Sequence, residues 1–70
     1  MAENILIKFG RRVRELRIER NLTQQQLAEL SGLHKNYIGM IERGERNPSL
    51  INIEILADAL KIKISEMMQF

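Results

Sequence analysis

Between Thr23 and Ile41 two stretches of helical spacing are separated only by Gly32 and Leu33, and this short junction constrains the chain more than any other feature. Helices joined so tightly must cross steeply, so the residues at their approach have to be small. Ala28 is small where the two would meet, and Gly32 can take the left-handed conformation that ends one helix and redirects the chain. Leu27, Ile38 and Ile41 supply an apolar seam, while Thr23 followed by Gln26 has the form of a capping box at the start of the first helix of the pair. Each residue alone fits ordinary helix packing. Their combination within so short a segment points to a helix-turn-helix.

The remaining sequence shows helical periodicity from end to end, with no alternating strand pattern, repeat or low-complexity tract, and predicts an all-α, compact five-helix domain over residues 1–70. A first helix is expected from Glu3 to Arg20, with Ile5, Phe9, Val13 and Leu16 on one face and Asn21 ending it. The capping box places the second helix over Thr23 to Leu30, and a third runs from about His34 to Arg43 before Gly44. Pro48 then prevents continuation, and Ser49 is suited to cap a fourth helix reaching Leu60, with Ile53, Leu56, Ala57 and Leu60 inward. Ser65 is the expected cap of a short fifth helix to Phe70.

Seventy residues without cysteine support one modest core and exclude disulfides and thiolate metal sites. The single histidine, His34, lacks a second histidine or cysteine to share a metal, so neither metal nor cofactor is expected. There is no nucleophile-base pairing, glycine-rich phosphate loop or paired carboxylate, which argues against an enzyme. The first ten residues are too short for a signal peptide and no apolar run reaches membrane-spanning length, so a cytoplasmic location without a membrane partner is expected. Net charge is only +2, but Lys8, Arg11, Arg12, Arg14, Arg17 and Arg20 crowd the first twenty residues. That distribution suits a nucleic-acid partner and equally suits a solvated helix surface.

The chain resembles the Xre-like and Cro-like helix-turn-helix regulators through Thr23-Gln24-Gln25-Gln26-Leu27-Ala28, Gly32-Leu33, Tyr37-Ile38 and Ile41-Glu42-Arg43-Gly44. Asn47-Pro48-Ser49-Leu50 and Leu56-Ala57-Asp58-Ala59-Leu60 are similar to that family's linker and fourth helix. Tyr37-Ile38, Ile41-Glu42-Arg43 and Arg46-Asn47 together with the short length are similar to controller proteins of restriction-modification systems, although phage repressors and antitoxin-type autoregulators share most of these residues. The resemblance implies a lambda-repressor-like DNA-binding fold and a homodimer on a roughly palindromic double-stranded operator, with half-sites about 34 Å apart.

It further implies roles residue by residue. Lys35, Asn36, Tyr37 and Met40 are expected against base edges, where lysine suits guanine, asparagine suits adenine and methionine suits a thymine methyl. Tyr37 has two readings, its ring packed in the protein or its hydroxyl on a base or phosphate. Gln24, His34, Arg43, Arg46 and Asn47 are expected at phosphates; for His34 helix capping is the other reading, and for Arg46 a solvated turn beside Glu45. Family members commonly carry a polar side chain where this chain has Gly39. Arg17 and Glu42 match a structural ion pair of related phage repressors. Ile51, Ile55, Met67 and Phe70 are the candidate dimer surface, with a core position as the stronger reading for Met67. The competing function is an antitoxin-type or other protein-interaction module on the same scaffold. Any contact with RNA polymerase, the operator, and activation versus repression are not read from these residues.

Overall fold

The computed structural model describes residues 3–70, which form α1 (Ile5–Glu19), α2 (Gln24–Ser31), α3 (Lys35–Glu42), α4 (Leu50–Ala59) and α5 (Ile64–Met67). Side chains one residue outside four of these helices satisfy backbone donors that would otherwise be orphaned. Asn4 caps α1, Thr23 caps α2 in a reciprocal capping box with Gln26, His34 caps α3 through Nδ1, and Ser49 caps α4. Helix ends are equally local. Asn21, Gly32, Gly44 and Lys61 all have positive φ, and after Asn21, Gly44 and Lys61 the next N–H returns to a carbonyl five residues back.

Three sequence expectations need correction. Ser65 does not cap α5: Lys63 precedes the helix without a side-chain cap, because Lys63 O already accepts from Glu66 and Met67 N–H groups and starts the turn earlier. The helix also ends at Met67, short of Phe70. Ile5 lies in register with Phe9, Val13 and Leu16 but is 61% exposed, since the core ends before the first turn of α1.

The core is one cluster drawn from all five helices. Phe9, Val13 and Leu16 of α1 meet Leu27 and Ala28 of α2, Ile38 and Ile41 of α3, Leu56 and Ala57 of α4, Leu60 just beyond it, and Met67 of α5. Burying a large aliphatic side chain contributes roughly 1.5–3 kcal/mol, so these few residues supply most of what holds so small a fold. The crossing of α1 and α3 depends on Gly10. A Cβ there would run into Ile41 O and stand 2.9 Å from Glu42 O, closer than atoms can approach. Arginines fasten the outside: Arg20 donates to Leu60 O and Leu16 O at 2.6 and 3.1 Å, and Arg12 donates to Glu66 O at 2.9 Å. Cations are thus spent on carbonyls at helix ends. No helix among the described residues is long and apolar enough to cross a membrane.

Candidate nucleic-acid interface

The first turn of α3 presents Lys35 and Asn36 as exposed side chains. His34 fixes their start, accepting the Asn36 N–H at 3.1 Å through Nδ1. A ring that accepts at Nδ1 carries its proton on Nε2, which leaves a donor suited to a phosphate oxygen. Capping and a phosphate contact, alternatives in the sequence, are therefore compatible uses of one ring.

The next residue, Tyr37, is half-buried against the core, and its hydroxyl oxygen accepts from Asn52 Nδ2 at 2.9 Å. Asn52 is itself held in the first turn of α4, where its N–H donates to Ser49 Oγ. The Tyr37 ring packs inward while its own O–H proton stays available. Arg46 lies over that ring at 5.2 Å from its centroid, with Nη1 3.9 Å from Met40 Sδ. Tyr37, Met40 and Arg46 thus form a single patch on the side of α3. Asn52 belongs to this arrangement, and no local signal in the sequence marks it, because its partner is fifteen residues away. Asn47 is exposed but borders a different feature, a groove of about 130 Å³ lined also by Ile5, Leu6, Phe9, Pro48, Ile53 and Met68.

Glu42 joins three elements. Its carboxylate accepts from Arg17 Nε at 2.7 Å and Nη2 at 3.0 Å and from Gln24 Nε2 at 3.1 Å, while Arg17 Nη1 donates to Leu22 O at 2.8 Å. The Arg17 and Glu42 side chains are 11% and 4% exposed. Hydrogen bonding to Glu42 raises the Arg17 pKa further above its ordinary value, outweighing desolvation. Gln24, expected at a phosphate from the start of α2, gives one amide hydrogen to Glu42 and keeps the other.

Beyond α3, Glu45 sits beside Arg46 in sequence but pairs with Arg43, which donates from Nε and Nη2 at 2.9 and 3.2 Å. These hydrogen bonds hold the Glu45 carboxyl below its ordinary pKa and raise that of Arg43. The reason is the chain reversal at Gly44, whose left-handed φ of 76° swings Glu45 back toward α3.

Of the four residues expected at a dimer surface, Ile51 and Phe70 are exposed and Ile55 is half-buried. Of the two readings of Met67 the core one holds and the dimer-surface one is corrected: it is 0% exposed, since the single turn of α5 plugs the space between α1 and α4 and Met67 is its only buried residue. Leu50, at 79% exposed beside Ile51 at 70%, and Ile64 and Met68 are further exposed apolar side chains that were not singled out from sequence. The signal for Leu50 was available, as the helix containing it is apolar nearly all round.

This architecture agrees with known proteins. The family model described as Helix-turn-helix matches residues 13–67. The chain is similar to the control protein C.BamHI of Bacillus amyloliquefaciens, at 42% identity over 71 residues, covering all of this chain and 88% of that protein. It is similar in structure to the restriction-modification controller protein C.AhdI from Aeromonas hydrophila, with a TM-score of 0.87, 55% identity and coverage of 89% of this chain and 94% of the other. It also matches the C.Esp1396I controller protein, solved as a tetramer in complex with its natural 35 base-pair operator, with a TM-score of 0.86, 30% identity and coverage of 96% and 92%. With its capped helix pair, the short turn at Gly32 and these matches, the chain belongs to the helix-turn-helix family of transcriptional regulators.

Proposed function

We propose that this protein is a controller-type transcriptional regulator of a restriction-modification system, binding a palindromic operator as a homodimer with α3 in the major groove. The observation that carries this reading is the first turn of α3, where Lys35 and Asn36 stand exposed on a helix held from behind by Glu42 and by the α1 crossing at Gly10. A helix that reads bases must be rigid on its inner side and polar on its outer side. Lys35, Asn36 and Met40 meet base edges in this reading. Gln24, His34, Arg46 and Asn47 position the backbone, Arg46 reaching out from its stack on Tyr37. The similarity to C.BamHI and C.AhdI supports the restriction-modification setting.

Asn36→Ala tests the reading directly. On a duplex selected by the wild-type protein from a random-sequence library, affinity is expected to fall by about 1–3 kcal/mol while binding to a scrambled duplex stays nearly unchanged. Titration at a fixed salt concentration measures both. Equal losses on the two duplexes would reject base readout by Asn36, and a wild type that selects no sequence at all would favour the protein-interaction module.

A further inference from the structure

Gly39 lies midway along α3 and is buried, yet the groups that cover it are polar. A Cβ at this position would meet Arg43 Nη1 at 3.1 Å and the Gln24 amide at 3.6 and 3.7 Å. The space a side chain would fill is occupied by the ends of two others, and both are held. Gln24 is bound to Glu42, and Arg43 is gripped along its Nε and Nη2 edge by Glu45. Glu45 is anchored in turn, because its N–H donates to Met40 O at 2.8 Å after the left-handed turn at Gly44. Gly44 has no freedom to change, since a Cβ there would meet Ile7 at 2.8 Å.

The Arg43–Glu45 pair is solvent-exposed, and such a pair contributes little to stability. Its structural consequence is orientation. Two bonds on one edge of the guanidinium leave the Nη1 and Nη2 end as a two-donor fork beside the middle of α3, and such a fork matches the O6 and N7 acceptors of guanine. A residue that merely neutralised a phosphate would gain nothing from a carboxylate on its flank, which partly cancels its charge. We propose that Arg43 is a base-reading residue that recognises a guanine across Gly39, with Glu45 as the positioning residue that aims it. This departs from the phosphate role expected from sequence, and it rests on the DNA-binding function proposed above.

The test compares Arg43→Ala, Arg43→Lys and Glu45→Gln on the duplex selected by the wild type, on the same duplex with each base pair substituted in turn, and on a scrambled duplex. Arg43→Ala and Arg43→Lys are both expected to lose about 5- to 150-fold on the selected duplex, to lose far less on the scrambled one, and to stop discriminating one G·C pair in each half-site. Lysine keeps the charge without the fork, so it should not rescue. Glu45→Gln should weaken discrimination at that same pair. Gly39→Ala should cost affinity in the wild type and add little to Arg43→Ala, with circular dichroism showing every variant folded. Equal loss on both duplexes, with rescue by lysine, would overturn the assignment and return Arg43 to the phosphates. Unchanged discrimination in Glu45→Gln would overturn the positioning role. Failure of the wild type to select any duplex would remove the DNA-binding reading and this inference with it.

Discussion

At the scale of single residues, Glu42 shows how one carboxylate can order a surface. It is almost fully enclosed and accepts three hydrogen bonds, two from Arg17 and one from Gln24. Taking two charges out of water offsets much of their attraction, so the pair contributes less to net stability than its geometry alone implies. Removing one partner is different, because it strands the other. Glu42→Leu is expected to destabilise the fold by about 3–5 kcal/mol, whereas Arg17→Met combined with Glu42→Leu should cost distinctly less than the single change. Urea denaturation of the two single variants and the double variant measures this. A double variant as unstable as the sum of its parts would show that the two side chains do not act together. Arg17 and Glu42 were legible as a pair only by resemblance, and the Gln24 bond not at all, because nothing local places residues 18 and 25 positions apart in contact.

At the scale of helices, the crossing of α1 over α3 sets the reading helix in place and turns on one missing methyl group. In an isolated helix alanine is more favourable than glycine by about 1 kcal/mol. At residue 10 the added Cβ would strike Ile41 O and Glu42 O, and overpacking of that kind costs about 1–3 kcal/mol or more. The two effects have opposite signs and the clash is the larger. Gly10→Ala should therefore lower the melting temperature and shift the α3 amide resonances. A rise in melting temperature would mean that α1 and α3 are not in backbone contact. The same helix shows why charge distribution misleads. The arginines crowded into the first twenty residues look like a nucleic-acid footprint, but Arg12 and Arg20 hold helix-end carbonyls, Arg17 holds Glu42 and Arg11 holds Glu3. Neither of the two sequence readings describes Arg12, Arg17 and Arg20, whereas Lys8, Arg11 and Arg14 are exposed as the solvated-surface reading expects.

At the scale of the whole molecule, a single reading helix covers few base pairs, and a symmetric pair doubles the contacts in fixed register. Leu50 and Ile51 are exposed side by side at the start of α4, and Ile64, Met68 and Phe70 are exposed in and after α5. An apolar surface of this kind in so small a protein is suited to a second copy of itself. Ile51→Asp places a charge at that surface twice, once from each subunit, and leaves the monomer's core untouched because Ile51 packs on nothing inside it. The expected result is a folded monomer by sedimentation and circular dichroism, with weaker operator binding. A folded variant that still dimerises would move the interface elsewhere. Ile55, being half-buried, is less suited to this test, since aspartate there would also disturb packing.

The amino-acid sequence by itself determined where the helices lie, because their beginnings and ends rest on interactions within about five residues. Thr23 with Gln26, Ser49, Gly32 and Gly44 act on backbone groups nearby, and the inward set of α4 follows from helical spacing alone. Ser65 failed as a cap because Lys63, lacking any capping side chain, already supplied the carbonyl that starts α5. What only the tertiary structure decided is which side chains meet across the chain. Ile5 falls outside the core, although it sits in helical register with Phe9, Val13 and Leu16, because the extent of the core depends on how five short helices share a small volume. The hydrogen bonds from Asn52 to Tyr37, Gln24 to Glu42, Arg20 to Leu60 and Arg12 to Glu66 join residues 15 to 54 positions apart, separations that no local pattern encodes. Glu45 shows that even a local choice between two neighbours is settled by backbone geometry. Adjacent to Arg46 in sequence, it turns to Arg43, because the left-handed backbone at Gly44 redirects the chain between them.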